Sequence, residues 1–321
     1  MLHNTLGKTG LRVSILSFGA SPLGNEFGSI DAAEGTRAVH YAIEQGINYF
    51  DVSPYYGRTL AEARLGEALV GYRHQVVLAT KAGRYGKHLP DGFDFSAARI
   101  MRSVEESLAR LRTDYIDVYQ VHDIEYGHKE QIIGETLPAM LRLKEQGKVR
   151  FVGITGYPLH LLRSVAEAIP VDTILSYCRY DLLDISLDDV LTPFARTRGI
   201  GLINASPLHM RLLTNNSAPD WHPAPKMVAK AAQEAARYCH ERGVDIADLA
   251  LQFALQHSYV ATTLVGMSKV EHVRRNLRSV GVPPDPALLA EVRSILAPMA
   301  NIAWQEELPE NYESGAVAKG S

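Results

Sequence analysis

Short runs of β-branched and aromatic residues alternate with longer amphipathic stretches along nearly the whole chain. "LSFGA" (16–20) precedes a helical pattern near 32–45, and "INYFDV" (47–52) precedes one near 60–70. "VVLATK" (76–81) leads into a helix near 96–111, and "YIDVYQVH" (115–122) into one near 129–146. "VRFVGIT" (149–155), "VDTILSY" (171–177), "IGLINAS" (200–206) and "TTLVG" (262–266) continue the series. Each run is almost continuously apolar, as expected of parallel strands buried on both faces. Gly46, Gly147 and Gly199 each stand between a helical pattern and the next strand. Glycine favours that C-cap position because it tolerates positive φ.

Eight such units fit a closed (β/α)8 barrel of the TIM type. The alternative, an open doubly wound sheet, lacks its fingerprint: no G-x-G-x-x-G follows the first strand. The nearest pattern, "GASPLGN", has neither that spacing nor the lysine of a P-loop. Ahead of the first strand, "TLGKTGLRV" (5–13) predicts a β-hairpin with a glycine-containing turn, able to plug the N-terminal end of a barrel. Residues 82–95 and 207–225 are long, rich in Gly, Pro and aromatics, and directly follow strands. In a barrel they are loops of the C-terminal face, where active sites sit. The expectation is one barrel domain over 1–321, with an irregular tail from about residue 300.

Composition narrows the partners. The chain is 46% hydrophobic and 21% charged, with net charge −3, and carries no basic stripe or tail suited to nucleic acid or an anionic membrane. The densest basic run, "HVRRNLR" (272–278), has helical spacing and reads as a solvated helix face unless a cofactor phosphate lies beside it. There is no secretory signal and no apolar run long enough to span a bilayer. Cys178 and Cys239 have neither C-x-x-C nor zinc spacing and read as reduced thiols of a cytoplasmic protein. Neither a coiled coil nor a swapping element is evident, so a monomer is expected.

The barrel register gathers four residues of one chemistry. Asp51, Lys81 and His122 close three adjacent strands at the same face, and Tyr56 lies in the loop after the first of them. Singly, each has an ordinary structural explanation; together they form a proton-transfer set. A tyrosine hydroxyl ordinarily titrates near 10. A neighbouring ammonium lowers that value, and an aspartate keeps the ammonium charged and oriented. A neutral histidine can orient a substrate oxygen, which completes a general acid/base poised at a C–O group. No second carboxylate for glycoside hydrolysis, no activated Ser or Cys nucleophile and no metal-ligand spacing accompany the set. The electrons must therefore move elsewhere, and a hydride cofactor is the expectation.

With these residues in place, the chain resembles the aldo-keto reductase family of NAD(P)-dependent oxidoreductases. The resemblance rests on "LGKTGLRVS", "FGASPLG", "NYFDVSPYYG", "ATKAGRY", "DYIDVYQVHD", "GKVRFVGIT" and "LVGMSKVEHVRRNL", in order from about residue 4 to 280. It implies catalytic roles for Asp51, Tyr56, Lys81 and His122. It also implies cofactor contacts at Thr155, Tyr177, Ser206, Leu208, Gly266, Met267, Ser268 and Asn276. This chain has Thr155-Gly156 where the family usually has Ser-Asn, and Tyr177 where it usually has glutamine. The aromatic that commonly stacks on the nicotinamide is Ala205 here, so another group such as Tyr177 must cover the ring. The family's NADPH-preferring reductases usually carry cations at the positions of Gly266 and His272, which favours NAD over NADP. Loop phrases including "NASPLHMRLLT" and "PDWHPA" are similar to the aldose 1-dehydrogenases of the L-galactose, L-fucose and D-threo-aldose type. They imply a sugar substrate oxidised at C1 to the aldonolactone, with Tyr55, Tyr85, Asp123, Trp221 and His222 as candidate pocket residues. An NADPH-dependent aldehyde or ketone reductase is the alternative within the family, and a non-enzymatic barrel that keeps the cofactor site as a redox sensor lies outside it.

Overall fold

The computed structural model describes residues 1–26, 28–305, 308–312 and 315–318. Two antiparallel strands, β1 (His3–Thr5) and β2 (Arg12–Ser14), open the chain. Eight parallel strands follow: β3 (Leu16–Gly19), β4 (Tyr49–Asp51), β5 (Val77–Ala82), β6 (Ile116–Val121), β7 (Val149–Gly156), β8 (Thr173–Tyr177), β9 (Gly201–Ala205) and β10 (Thr262–Gly266). Each pairs with the next, and β10 closes on β3 to make the expected barrel.

Helices cover the outside, and local chemistry sets their ends. Asp31, Ser96 and Asp245 cap the helices Ala32–Glu44, Ala97–Leu111 and Ile246–Leu255 by accepting backbone N–H groups. Gly46, Gly147 and Gly199 all have positive φ, as their C-cap placement predicts. The helix read over 129–146 is interrupted: Lys129–Gln131 passes through a π-helical turn, Ile132–Thr136, before Leu137–Glu145. Pro138 explains the interruption, because it supplies no N–H to the preceding turn.

Strand alternation divides the core. Tyr49, Val77, Ala79, Val118, Leu175, Ile203 and Leu264 fill the barrel interior, while Phe18, Phe50 and Val265 pack outward beneath helices. Leu6, Leu11 and Val13 of the hairpin join the interior cluster and close its lower end. Gly7 makes that closure possible. It has φ +50, and a Cβ there would lie 2.4 Å from the Gly201 nitrogen. At the far end of the chain, Trp304–Gln305 pairs in parallel with Val317–Ala318, and Trp304 stacks on Tyr157 at 4.3 Å. Residues 306, 307, 313, 314 and 319–321 of the expected tail lie outside the described residues.

Candidate active site

Continuing the inward alternation to the C-terminal mouth brings one residue from each strand or its end: Gly19, Asp51, Lys81, His122, Thr155, Tyr177, Ala205 and Gly266. Three consecutive positions carry an acid, an amine and an imidazole. Lys81 is among the largest fully buried side chains of the protein. Its Nζ pairs with Asp51 Oδ1 and donates to the Val52 carbonyl at 2.9 Å, and Gln120 Nε2 donates to Asp51 Oδ2 at 3.1 Å. An unpaired buried ion costs several kcal/mol, which is why a carboxylate and a carbonyl converge on this ammonium, while the Gln120 amide holds the other oxygen of the carboxylate. Burial alone would lower the Lys81 pKa, but Asp51 outweighs it and the ammonium is held above its ordinary value.

Tyr56 lies next to this pair, its ring centroid 5.1 Å from Lys81 Nζ and 5.7 Å from the His122 ring. Two glycines place it. A Cβ on Gly57 would lie 2.1 Å from the Gly24 carbonyl oxygen, and one on Gly24 would lie 2.7 Å from the Tyr56 carbonyl carbon. The loops after β3 and β4 thus meet backbone to backbone, accounting for the glycine that ends both "FGASPLG" and "PYYG". Burial pushes the Tyr56 hydroxyl up to about 12, with Lys81 opposing the rise. His122 is driven the other way, down to about 3, chiefly by burial, and is neutral at physiological pH.

The remaining expected residues divide into those at this centre and those tied elsewhere. Tyr55 packs 5.9 Å from the His122 ring, under the Arg84 guanidinium at 4.1 Å. Asp123, with φ +50, forms an ion pair with Arg84 and lies 3.6 Å from His122 Nε2. The Thr155 hydroxyl accepts the Asp123 backbone N–H at 3.0 Å. Tyr85 is engaged by Arg99 at 3.8 Å and accepts the Gly83 N–H. His222 uses both ring nitrogens inside its own region, on the His209 carbonyl and the Ala224 N–H. Trp221 is 45% exposed and stacks on His222 at 6.0 Å.

On the opposite side, the Tyr177 hydroxyl donates to Glu125 Oε1 at 3.2 Å. Ser206 has positive φ, Leu208 is half-buried, and the Met267 N–H donates to the Gly19 carbonyl. Gly266 is exposed, the Ser268 N–H donates to His272 Nδ1, and Asn276 is half-buried on the helix Val270–Leu277.

Sequence reasoning missed four residues around the centre: Ser53, Arg84, Gln120 and Glu125. Gln120 was open to discovery, since it stands two positions before His122 on the same strand face. Ser53 lies within "DVSPYYG" itself. Arg84 and Glu125 come from loops whose direction no periodicity reveals. Spacing also gave no sign that Cys178, Asp181 and His209 approach, with ligand-type atoms within 4.8 Å of one another. His209 Nδ1 and Asp181 Oδ2 are 2.8 Å apart, while Asp181 Oδ1 accepts the Leu183 and Asp184 N–H groups. The pair ties together the segments that follow β8 and β9.

The aldo/keto reductase family profile matches residues 15–297, most of the chain. This protein belongs to the aldo/keto reductase family. An L-galactose dehydrogenase of Arabidopsis thaliana is 44% identical over 316 residues, covering 95% of this chain and 98% of the relative. A D-threo-aldose 1-dehydrogenase of a Pseudomonas species is 27% identical over 90% of this chain and 97% of its own. The holo form of aldo-keto reductase AKR11C1 from Bacillus halodurans superposes with a TM-score of 0.76 at 30% identity, covering 94% of this chain and 96% of that one. As a member of the aldo/keto reductase family, the chain is an NAD(P)-dependent oxidoreductase. Among the described residues, no helix is long and apolar enough to cross a membrane.

Proposed function

We propose that this aldo/keto reductase is an NAD-dependent aldose 1-dehydrogenase that oxidises a pyranose of L-galactose or L-fucose type to its aldonolactone. The observation that carries the reading is the buried Asp51–Lys81 pair beside the Tyr56 ring, with neutral His122 across the mouth. The substrate class is suggested by the L-galactose dehydrogenase, which matches along nearly its whole length. Gly19, Ala205 and Gly266 keep three of the strand ends on the facing side of the mouth small, with Tyr177, bonded to Glu125, as the aromatic at a fourth. That side suits a planar ring. Thr155, Tyr177, Ser206 and Leu208 would hold the nicotinamide half, and Gly266, Met267, Ser268 and Asn276 the adenosine half.

The cofactor, when bound, supplies the acceptor for the hydride leaving C1. Tyr56 takes the proton of the C1 hydroxyl as the C1–O bond becomes a carbonyl, and later releases it to solvent. Lys81 stabilises the phenolate that precedes this transfer, and Asp51 keeps Lys81 charged. His122 orients the C1 oxygen. Tyr55, Tyr85, Asp123, Trp221 and His222 are the candidate contacts to the rest of the sugar.

Two features support NAD over NADP. The Glu34 carboxylate accepts the Val270 N–H at 3.0 Å, occupying with negative charge the helix start that a 2′-phosphate would otherwise use. Arg275 is committed to Asp245 at 2.7 Å and Asp248 at 3.3 Å. Steady-state assays with NAD and NADP on L-galactose and L-fucose, and with NADPH on a simple aldehyde, test the proposal. The highest kcat/KM is expected for a sugar with NAD, and faster turnover of the aldehyde with NADPH would overturn it.

A further inference from the structure

We infer that Ser53 is a positioning residue that locks His122 in the neutral tautomer with its proton on Nε2; its bearing on catalysis rests on the function proposed above. Ser53 is fully buried, and its Oγ lies 2.9 Å from His122 Nδ1. The same Oγ accepts the backbone N–H of Tyr55 at 3.1 Å. Among the described residues, the Ser53 hydroxyl bonds to these two groups.

The proton count then decides the tautomer. A serine hydroxyl offers one hydrogen, and a neutral imidazole has one donor and one acceptor nitrogen. The Tyr55 N–H can only donate, so it consumes acceptor capacity on Oγ and leaves the hydroxyl hydrogen to be placed. Its available acceptor is His122 Nδ1, which must then be unprotonated. If Nδ1 carried the proton instead, Oγ would accept twice and its own hydrogen would be buried unpaired, at a cost of about 1–3 kcal/mol. The imidazole proton is therefore on Nε2.

Nε2 faces Asp123 Oδ2 at 3.6 Å, beyond hydrogen-bonding distance, so its proton is available to a substrate oxygen. Tyr55 and Tyr56 flank the ring at 5.9 and 5.7 Å, which restricts its rotation. Ser53 thus links two parts of one heptapeptide. Its neighbours Tyr55 and Tyr56 frame the ring whose protonation pattern the serine sets.

The tautomer can be read directly from the imidazole nitrogens of 15N-histidine-labelled enzyme in long-range 1H–15N correlation spectra. His122→Asn identifies the resonances that belong to this ring. The wild type should show Nδ1 in the unprotonated range and Nε2 in the protonated range. In Ser53→Ala the two shifts should move toward each other as the tautomers mix. The same variant should lose about tenfold in kcat, the size of one hydrogen bond's net contribution, with KM and NAD affinity within about twofold. A wild-type spectrum with Nδ1 protonated overturns the inference, and it does so even if Ser53→Ala fails to fold. Unchanged shifts in Ser53→Ala overturn it as well, and shifted resonances with unchanged kcat overturn the catalytic part. Near-normal turnover of Tyr56→Phe would sink the proposed function instead and leave the tautomer result standing.

Discussion

The two halves of the barrel mouth are built on opposite principles. From β4 to the end of β6, the inward positions are Asp51, Lys81 and His122, held by Val52, Gln120 and Ser53. From β7 round to β3 they are Thr155, Tyr177, Ala205, Gly266 and Gly19, with no carboxylate, ammonium or imidazole among them. One half concentrates charge and satisfies it internally; the other puts glycine or alanine at three of its five inward positions. A hydride-transfer site needs both, because a proton and a hydride must leave one carbon–oxygen unit in different directions. The contrast also separates the kinds of damage that substitutions can do.

The largest effect is expected in the charged half. Tyr56→Phe should lower kcat by about 10³-fold, the scale of a lost general acid/base, with NAD affinity unchanged. Because burial pushes the Tyr56 hydroxyl up to about 12, the base form is scarce at neutral pH. In the wild type, oxidative kcat should therefore rise about tenfold per pH unit between pH 7 and 9 while proton transfer limits the rate. A flat profile in that window, with chemistry rate-limiting, would contradict the assignment. Lys81→Met comes next. It leaves Asp51 buried without its cation and should cost about 3–5 kcal/mol in chemical denaturation. Lys81→Met/Asp51→Asn should recover most of that stability but none of the turnover, which separates the pair's structural role from its catalytic one. The smallest effect belongs to the open half. Tyr177→Ala should raise the NADH dissociation constant roughly fivefold to tenfold by removing an aromatic wall, whereas Tyr177→Phe should stay within about twofold. Titrations followed by protein fluorescence can measure both. Equal losses in the two variants would mean that the Glu125 hydrogen bond, rather than the ring, is what matters.

Much of the charged half was legible in the sequence, for a physical reason. Asp51, Lys81 and His122 interrupt strands that are otherwise apolar, and strand ends in a parallel barrel converge on one rim. Tyr56 was legible by its place in "DVSPYYG" and by family register. The open half was harder to read, because its defining property is the smallness of Gly19, Ala205 and Gly266, and a glycine or alanine at a strand end is unremarkable by itself. The pocket loops were harder still. In the sequence Tyr85, Trp221 and His222 stand out only as polar or aromatic residues of long loops; in the structure Tyr85 packs on Arg99, and His222 bonds to His209 and Ala224. Arg84, which covers Tyr55 and pairs with Asp123, carried no local signal.

The alternation of apolar runs and amphipathic stretches by itself determined the eight-stranded barrel, the plugging hairpin and the rim on which chemistry collects. Local rules suffice there, since strand periodicity, glycine C-caps and loop length act over a few residues. The hydrogen-bond partners of those rim residues were decided only by the tertiary structure. Gln120 reaching Asp51, Ser53 reaching His122 and Gly24 meeting Gly57 are contacts between residues 33 to 69 positions apart. Such contacts depend on side-chain direction and backbone approach after the barrel closes, and a linear pattern records neither.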